Sequence, residues 1–262
     1  MFKALDLWLP GYLRRRAHPG EATDILVAVC DHFEPLHRTN TAGALERVRL
    51  WQKEYPKLIA QFRDADGVRP RHTFFYPVEQ YNPDILHEIG RLCDLSGGEV
   101  EVHLHHDQDT AENLTKQLEQ GKTHLTAHGM LSRDDEGDVR YGFVHGNWAL
   151  DDSDPTRRNC GVSEELGVLR RTGCFADFTM PSAPHRTQTR IVNSVYYALD
   201  TPARKSHDSG RLARVGNPMP PGAAGKDGSE LLLIQGPLGL NWRQRKFGFL
   251  PRVENSSSRS SG

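Results

Sequence analysis

Apolar runs separated by helix-patterned segments recur along most of this chain, the alternation expected of βαβ units and a parallel sheet. "DILVAVCDHF" (24–33) is almost continuously apolar, as a strand covered on both faces would be. A helical pattern follows over 41–63, carried by Leu45, Val48, Leu58, Ile59 and Phe62, with Pro56 placed to kink or split it. "RHTFFYP" (71–77) predicts a second strand. Asn82 as cap and Pro83 just inside then predict a helix through Ile85, Leu86, Ile89 and Leu92. The third strand lies in "EVEVHLHHDQDT" (99–110), and Thr110 is placed to cap a helix bearing Leu114 and Leu118. "RDDEGDV" (133–139) is a turn, "YGFVHGNWAL" (141–150) a fourth run, Ser163 with Glu165–Leu169 a short helix, and "CFADFTMP" (174–181) a fifth run. "NSVYYAL" fits strand or short helix, "GNPMPPGAAGKDGSE" is loop, and "LLLIQGPL" (231–238) is a buried strand. The organisation expected is an N-terminal arm (1–23), one α/β domain (24–254) and a disordered serine-rich tail (255–262).

Composition adds exclusions. The 262 residues suit a single α/β barrel. With 33 basic and 34 acidic residues intermixed, the net charge is -1, so no basic field points to nucleic acid. Four dispersed cysteines, Cys30, Cys93, Cys160 and Cys174, form no CxxC pair and suit a reducing, cytoplasmic setting. The first twenty residues do not follow the order of a secretory signal, and no apolar run reaches a transmembrane length. An ordinary packed arm is expected there; Trp8, Leu9 and Arg14–Arg16 offer a peripheral membrane contact as the alternative.

Chemistry gathers where the strands end. The first run ends in Asp31, His32 and Glu34, the second leads to Tyr76 and Glu79, and the third to His103, His105 and Asp107. The fourth carries His145, Asn147 and Trp148, the fifth Asp177 and Thr179, and the last reaches Gln235. Polar termini on nearly every strand favour a parallel (β/α) barrel, whose catalytic groups collect at its C-terminal face. In an extended strand His103, His105 and Asp107 point the same way; in a helix starting near 104, His103 and Asp107 still meet at i and i+4. Two imidazoles and a carboxylate suit zinc, with cobalt, nickel or iron as alternatives. His32 is the further ligand, Asp31 the candidate base, and His106 faces away or supports the ligands.

Several features have plainer readings. Asp31 is placed to cap the next element. "HLTAH" (124–128) lacks the glutamate of an HExxH motif and reads as a solvated helix face. Asp177, inside an apolar strand, needs a partner, and an arginine or histidine in the barrel interior is expected in preference to a direct role at the metal. His207, in "KSHDSG", belongs to a turn or to a loop folding over the mouth.

Asp31 at the end of the first strand, His103 after "EVEV" and the order of the remaining elements resemble the polysaccharide deacetylase (NodB-homology) family over about 24–240. Of that family's adjacent aspartate pair, Asp31 matches the base, and His32 stands at the ligand. His103 matches the first of its two histidines at i and i+4, and Asp107 stands at the second. "HGNWALDD" occupies the region of its arginine-proline motif. "LLLIQGPL", with Gln235, occupies that of its leucine-histidine motif. The resemblance implies a distorted, seven-stranded barrel and a metal-dependent hydrolase that removes an acetyl group from an N- or O-acetylated saccharide. The general acid would be His145 or His207. Tyr76, Tyr81, Asn147, Trp148 and Asp177 are candidates to meet the sugar. The rivals are a glycosidase of the same superfamily using Asp31 and Asp177, and an inactive glycan-binding barrel.

Overall fold

The computed structural model describes residues 4–14, 25–214 and 230–255. The expected 216–229 loop and, Asn255 apart, the serine-rich tail lie outside these residues, as does the end of the N-terminal arm. The class is mixed α/β with mostly parallel strands. The chain divides into two compact units: 22–105 with 115–146, and 1–21 with 106–114 and 147–262.

In the unit containing 22–105, β1 (Cys30–His32), β2 (Thr73–Pro77), β3 (Glu99–Leu104) and β5 (Val139–His145) lie side by side in parallel. A short β4 (Ser132–Arg133) pairs antiparallel with β5 through the expected 133–139 turn. The connecting helices follow their caps. The Asn40 side chain accepts from Gly43 N at the start of α2 (Thr41–Ile59). That helix accommodates Pro56 in its last turn, where only one backbone donor is lost before the chain leaves the helix. Asn82 accepts from the Asp84 and Ile85 amides at the start of α3 (Pro83–Ser96), and Ile85, Leu86, Ile89 and Leu92 are buried as the spacing predicts. The helix α4 (Ala111–Ala127) follows Thr110, whose hydroxyl accepts from Asn113 N. On it, His124 stacks on Tyr81 at 3.8 Å, so "HLTAH" packs against a neighbouring ring instead of lying bare.

β1 is a correction to the sequence reading. Only three residues pair, and Ile25, Leu26 and Val27 are exposed instead of covered on both faces. The ladder begins where Thr73 N donates to Val29 O, so the described residues 25–28 lie ahead of the first pairing with β2.

In the other unit, β6 (Cys174–Asp177) pairs parallel with β9 (Glu230–Ile234). β9 pairs antiparallel with β7 (Val195–Leu199), which pairs antiparallel with β8 (Gly210–Leu212). "NSVYYAL" is therefore strand. α5 (Glu165–Arg171) precedes β6, and a hairpin of β10 (Gly239–Lys246) and β11 (Leu250–Glu254) ends the described chain. α1 (Leu5–Arg14) is held by its apolar face: Leu7 and Trp8 are buried with Ala183, Val192 and Leu238. Arg186 Nη1, donating to both carboxylate oxygens of Asp6, adds to it. Trp8, fully enclosed, thus has no face for a membrane. Among the described residues no helix is long and apolar enough to cross one.

Candidate metal centre

The parallel strands β1, β2 and β3 deliver their C-terminal residues to one edge. His32 closes β1, and Phe33 N continues the ladder to Phe75 O before the chain turns. Glu34 opens that turn, closed by His37 N to Glu34 O, and Arg47 of α2 grips the Pro35 and His37 carbonyls at 2.9 and 2.6 Å. The turn is thereby fixed, and Glu34 with it.

Donor atoms of His32, Glu34 and His103 lie within 4.8 Å of one another. His103 Nε2 is 3.3 Å and His105 Nε2 3.6 Å from the same Glu34 oxygen, while His37 Nδ1 is 3.5 Å from the other. The rings of His103 and His105 meet edge to face at 4.5 Å, as strand alternation predicts for i and i+2. His103 is fully buried, and its Nδ1 lies 3.0 Å from Val144 O on β5. A carbonyl can only accept, so Nδ1 carries a proton, and the opposite nitrogen, Nε2, is turned to the Glu34 carboxylate. Two electron-rich atoms at that distance call for a proton or a cation between them, and a backbone-oriented imidazole is the usual support of a metal ligand. Burial, and then the His103 charge, push His32 down to about 4, which leaves it neutral and able to ligate near pH 7. The hydrogen bond with His103 holds Glu34 below the usual carboxylate range, keeping it an anion. His105 completes the edge: its Nδ1 lies 2.7 Å from Glu79. Its ring lies where a Cβ on Gly146 would fall 2.3 Å from Cδ2, so a side chain at 146 would push that ring aside.

Other expected members stand elsewhere. Asp31 lies 3.5 Å from His72 Nε2 and is outside the donor group, since successive strand residues face opposite ways and His32 takes the inner face. Asp107 is outside it too: the chain turns after His105, and the carboxylate accepts Asn159 N at 2.6 Å with Arg158 at 3.8 Å. Glu34 is the carboxylate that sequence reasoning passed over as a ligand. Tyr76 is enclosed in the core, its hydroxyl donating to Gln80 O, and so offers no face to a sugar. His145 is fully buried at the end of β5.

The second unit holds its own polar cluster. His106, Cys160 and Glu165 bring a nitrogen, a sulfur and an oxygen within 4.8 Å of one another, all in the interior. His106 Nε2 is 3.0 Å from Glu165 and its Nδ1 3.3 Å from Asp109. Burial works against its charge, but the two carboxylates outweigh it and hold His106 up at about 9. Asn147 reaches His106 O at 3.4 Å, and Trp148 is half exposed with φ +52°. His207 is no lid. It is fully buried, 3.5 Å from Asp151. Asp177 is enclosed with Thr179 N and Oγ1 as donors, the partner being a threonine and not an arginine or histidine. Burial pushes it up to about 7. A carboxyl so enclosed does not present itself to a cleft, as the glycosidase reading requires.

All four cysteines are free, as the sequence expects. No protein-family model, curated protein or solved structure matches the chain.

Proposed function

We propose that the chain is a metal-dependent hydrolase that removes an acetyl or similar acyl group from a saccharide. The observation that carries the reading is the convergence of His32, Glu34 and His103 at the C-terminal edge of adjacent parallel strands, with His103 oriented by a backbone carbonyl. These three residues would hold the ion. Imidazole and carboxylate donors favour zinc, and also suit cobalt, nickel or iron. When bound, a divalent cation would polarise the acyl carbonyl and make a water more acidic.

His105 is the proton carrier we assign. Glu79 accepts from its Nδ1–H, which turns Nε2, 3.6 Å from Glu34, toward the site, where it would take the proton of the attacking water. The same nitrogen then returns the proton to the departing amine or alcohol, so that water and acylated sugar become acetate and free sugar. Asp31, the base in the resembling family, would act at most through His72. The choice of an acylated saccharide, and of that family's distorted seven-stranded barrel, rests on the resemblance of the Asp31–His32 and His103 motifs. The parallel β1–β2–β3–β5 order is compatible with it.

The test is acetate release from N- and O-acetylated oligosaccharides by chelator-treated protein, before and after zinc, cobalt, nickel or iron is restored. Release should require metal and vanish in His103→Ala and Glu34→Gln. No release from folded wild-type protein with any of the four metals would overturn the reading.

A further inference from the structure

His106, Cys160 and Glu165 belong to no step above, yet they bring three different metal-binding atoms together in the interior of one unit. We propose that they form an enclosed, zinc-selective structural site, independent of the His32–Glu34–His103 centre and of the reaction assigned to it. Three features of geometry support this.

The first is spacing. Zinc bonds of about 2.0 Å to N and O and about 2.3 Å to S give tetrahedral edges of roughly 3.3–3.6 Å. Here His106 Nε2 is 3.0 Å from one Glu165 oxygen, and Cys160 Sγ is 3.2 Å from the other. Taken one atom from each residue, the three donors lie within 4.8 Å of one another, a spread that a modest side-chain adjustment brings to a single ion. The second is orientation of the histidine. With Nε2 turned to the site, Nδ1 faces the Asp109 carboxylate at 3.3 Å, the carboxylate–imidazole support that metal-bound histidines use. The third is the sulfur. The amides of Asp152 and Val162 donate to Cys160 Sγ at 3.3 and 3.4 Å. A neutral thiol is a weak acceptor and gains little from two donors, whereas a metal-bound thiolate gains much.

The backbone is built to hold this arrangement. Asp109 N donates to Cys160 O at 2.8 Å. Gly161, at φ +99°, lets the 160–161 turn approach so closely that a Cβ would fall 2.7 Å from Asp109 N. Glu165 is fixed in turn, accepting Asp151 N at 2.6 Å. A set of imidazole, thiolate and carboxylate selects zinc over magnesium or calcium, which prefer oxygen alone.

Cobalt(II) reads the sulfur directly, because a thiolate ligand adds an intense near-ultraviolet charge-transfer band that the His32–Glu34–His103 donors do not give. Full-length, metal-free protein titrated with cobalt(II) should develop that band to one equivalent. The band should persist in His103→Ala and in Cys30→Ser and be lost in Cys160→Ser. Zinc content should fall by one ion per chain in Cys160→Ser whether or not the other centre is filled. X-ray absorption of His103→Ala loaded with one zinc supplies a second measurement should Cys160→Ser not fold, with one sulfur expected at about 2.3 Å. Absence of the band or of the sulfur from folded protein, or persistence of the band in Cys160→Ser, would overturn the site. Failure of acetate release would not touch it.

Discussion

In one unit four imidazoles, His32, His37, His103 and His105, crowd a single carboxylate, Glu34. In the other, one imidazole, His106, stands between two carboxylates, Asp109 and Glu165. The first cluster is partly open: the Glu34 and His105 side chains keep 21% and 29% of their exposure. The second is shut, with 2% for His106 and none for Glu165. Ion sites divide along this line. An open coordination position serves a reaction and a closed one serves structure. The surplus of imidazole over carboxylate in the first cluster also leaves more ring nitrogens than the one carboxylate can engage. In the second, each polar atom already has a neighbour that a proton or an ion must satisfy.

The largest expected contrast is in activity. Removing His103 or Glu34 should abolish metal retention at the open site and lower acyl release on the order of a thousandfold. Asp31→Asn, outside the donor group, should cost less than tenfold. Parallel kinetics and metal analysis check both, and an Asp31 loss as large as that of Glu34 would return the base to Asp31.

Next in size is an opposite response to pH, again from burial acting on different chemistry. Burial lowers His32 to about 4 from an unfolded value near 6.5. In metal-free protein the unfolded chain therefore binds the extra proton first, and stability falls as pH drops from about 6.5 to 4, by roughly 3 kcal/mol. Burial raises Asp177 to about 7, so the folded chain holds the extra proton there, and stability falls as pH rises from about 4 to 7, by roughly 4 kcal/mol. Relative to wild type, His32→Gln should gain stability toward low pH and Asp177→Asn toward neutral pH. Denaturant unfolding across that range measures both slopes; a matching sign would break the comparison.

Two glycines sharpen it further. Gly161→Ala combines a strained φ with backbone contact at 2.7 Å and should destabilise its unit by about 2–3 kcal/mol. Gly146→Ala meets only the His105 ring, so it should displace that ring at smaller cost, about 1 kcal/mol, while cutting activity more than stability. Thermal unfolding set against kcat separates the two.

Much of this was legible in the residues, wherever a local rule acts alone. Asn82 with Pro83 fixes the start of α3, and strand alternation in "EVEVHLH" puts His103 and His105 on one face. The same alternation already separates Asp31 from His32, a signal available in "VCDHFEP". Glu34 was harder, because its direction depends on a turn held by Arg47 from α2, twelve residues from the Pro35 carbonyl it grips. The meeting of His106 with Cys160 and Glu165 has no local signature. It depends on Gly161 and on backbone bonds between segments some fifty residues apart. Tyr76 misled for another reason: almost every position of β2 is buried, so no face of that strand is left for substrate.

The smallest predicted effect discriminates best between sequence spacing and structure. Asp107 sits at i+4 from His103, where the resembling family has its second histidine, and spacing alone makes it a ligand. Its carboxylate instead accepts Asn159 N and faces Arg158, and those contacts hold its pKa below the ordinary carboxylate range, with the Asn159 amide the main cause. The group is exposed, and such contacts contribute little to folding. Asp107→Ala should therefore leave metal content at the open site and acyl release within about twofold of wild type, and shift unfolding by no more than about 1 kcal/mol. Loss of the open-site metal in Asp107→Ala, with His103 and Glu34 intact, would show that spacing and not the observed turn after His105 defines the donor set.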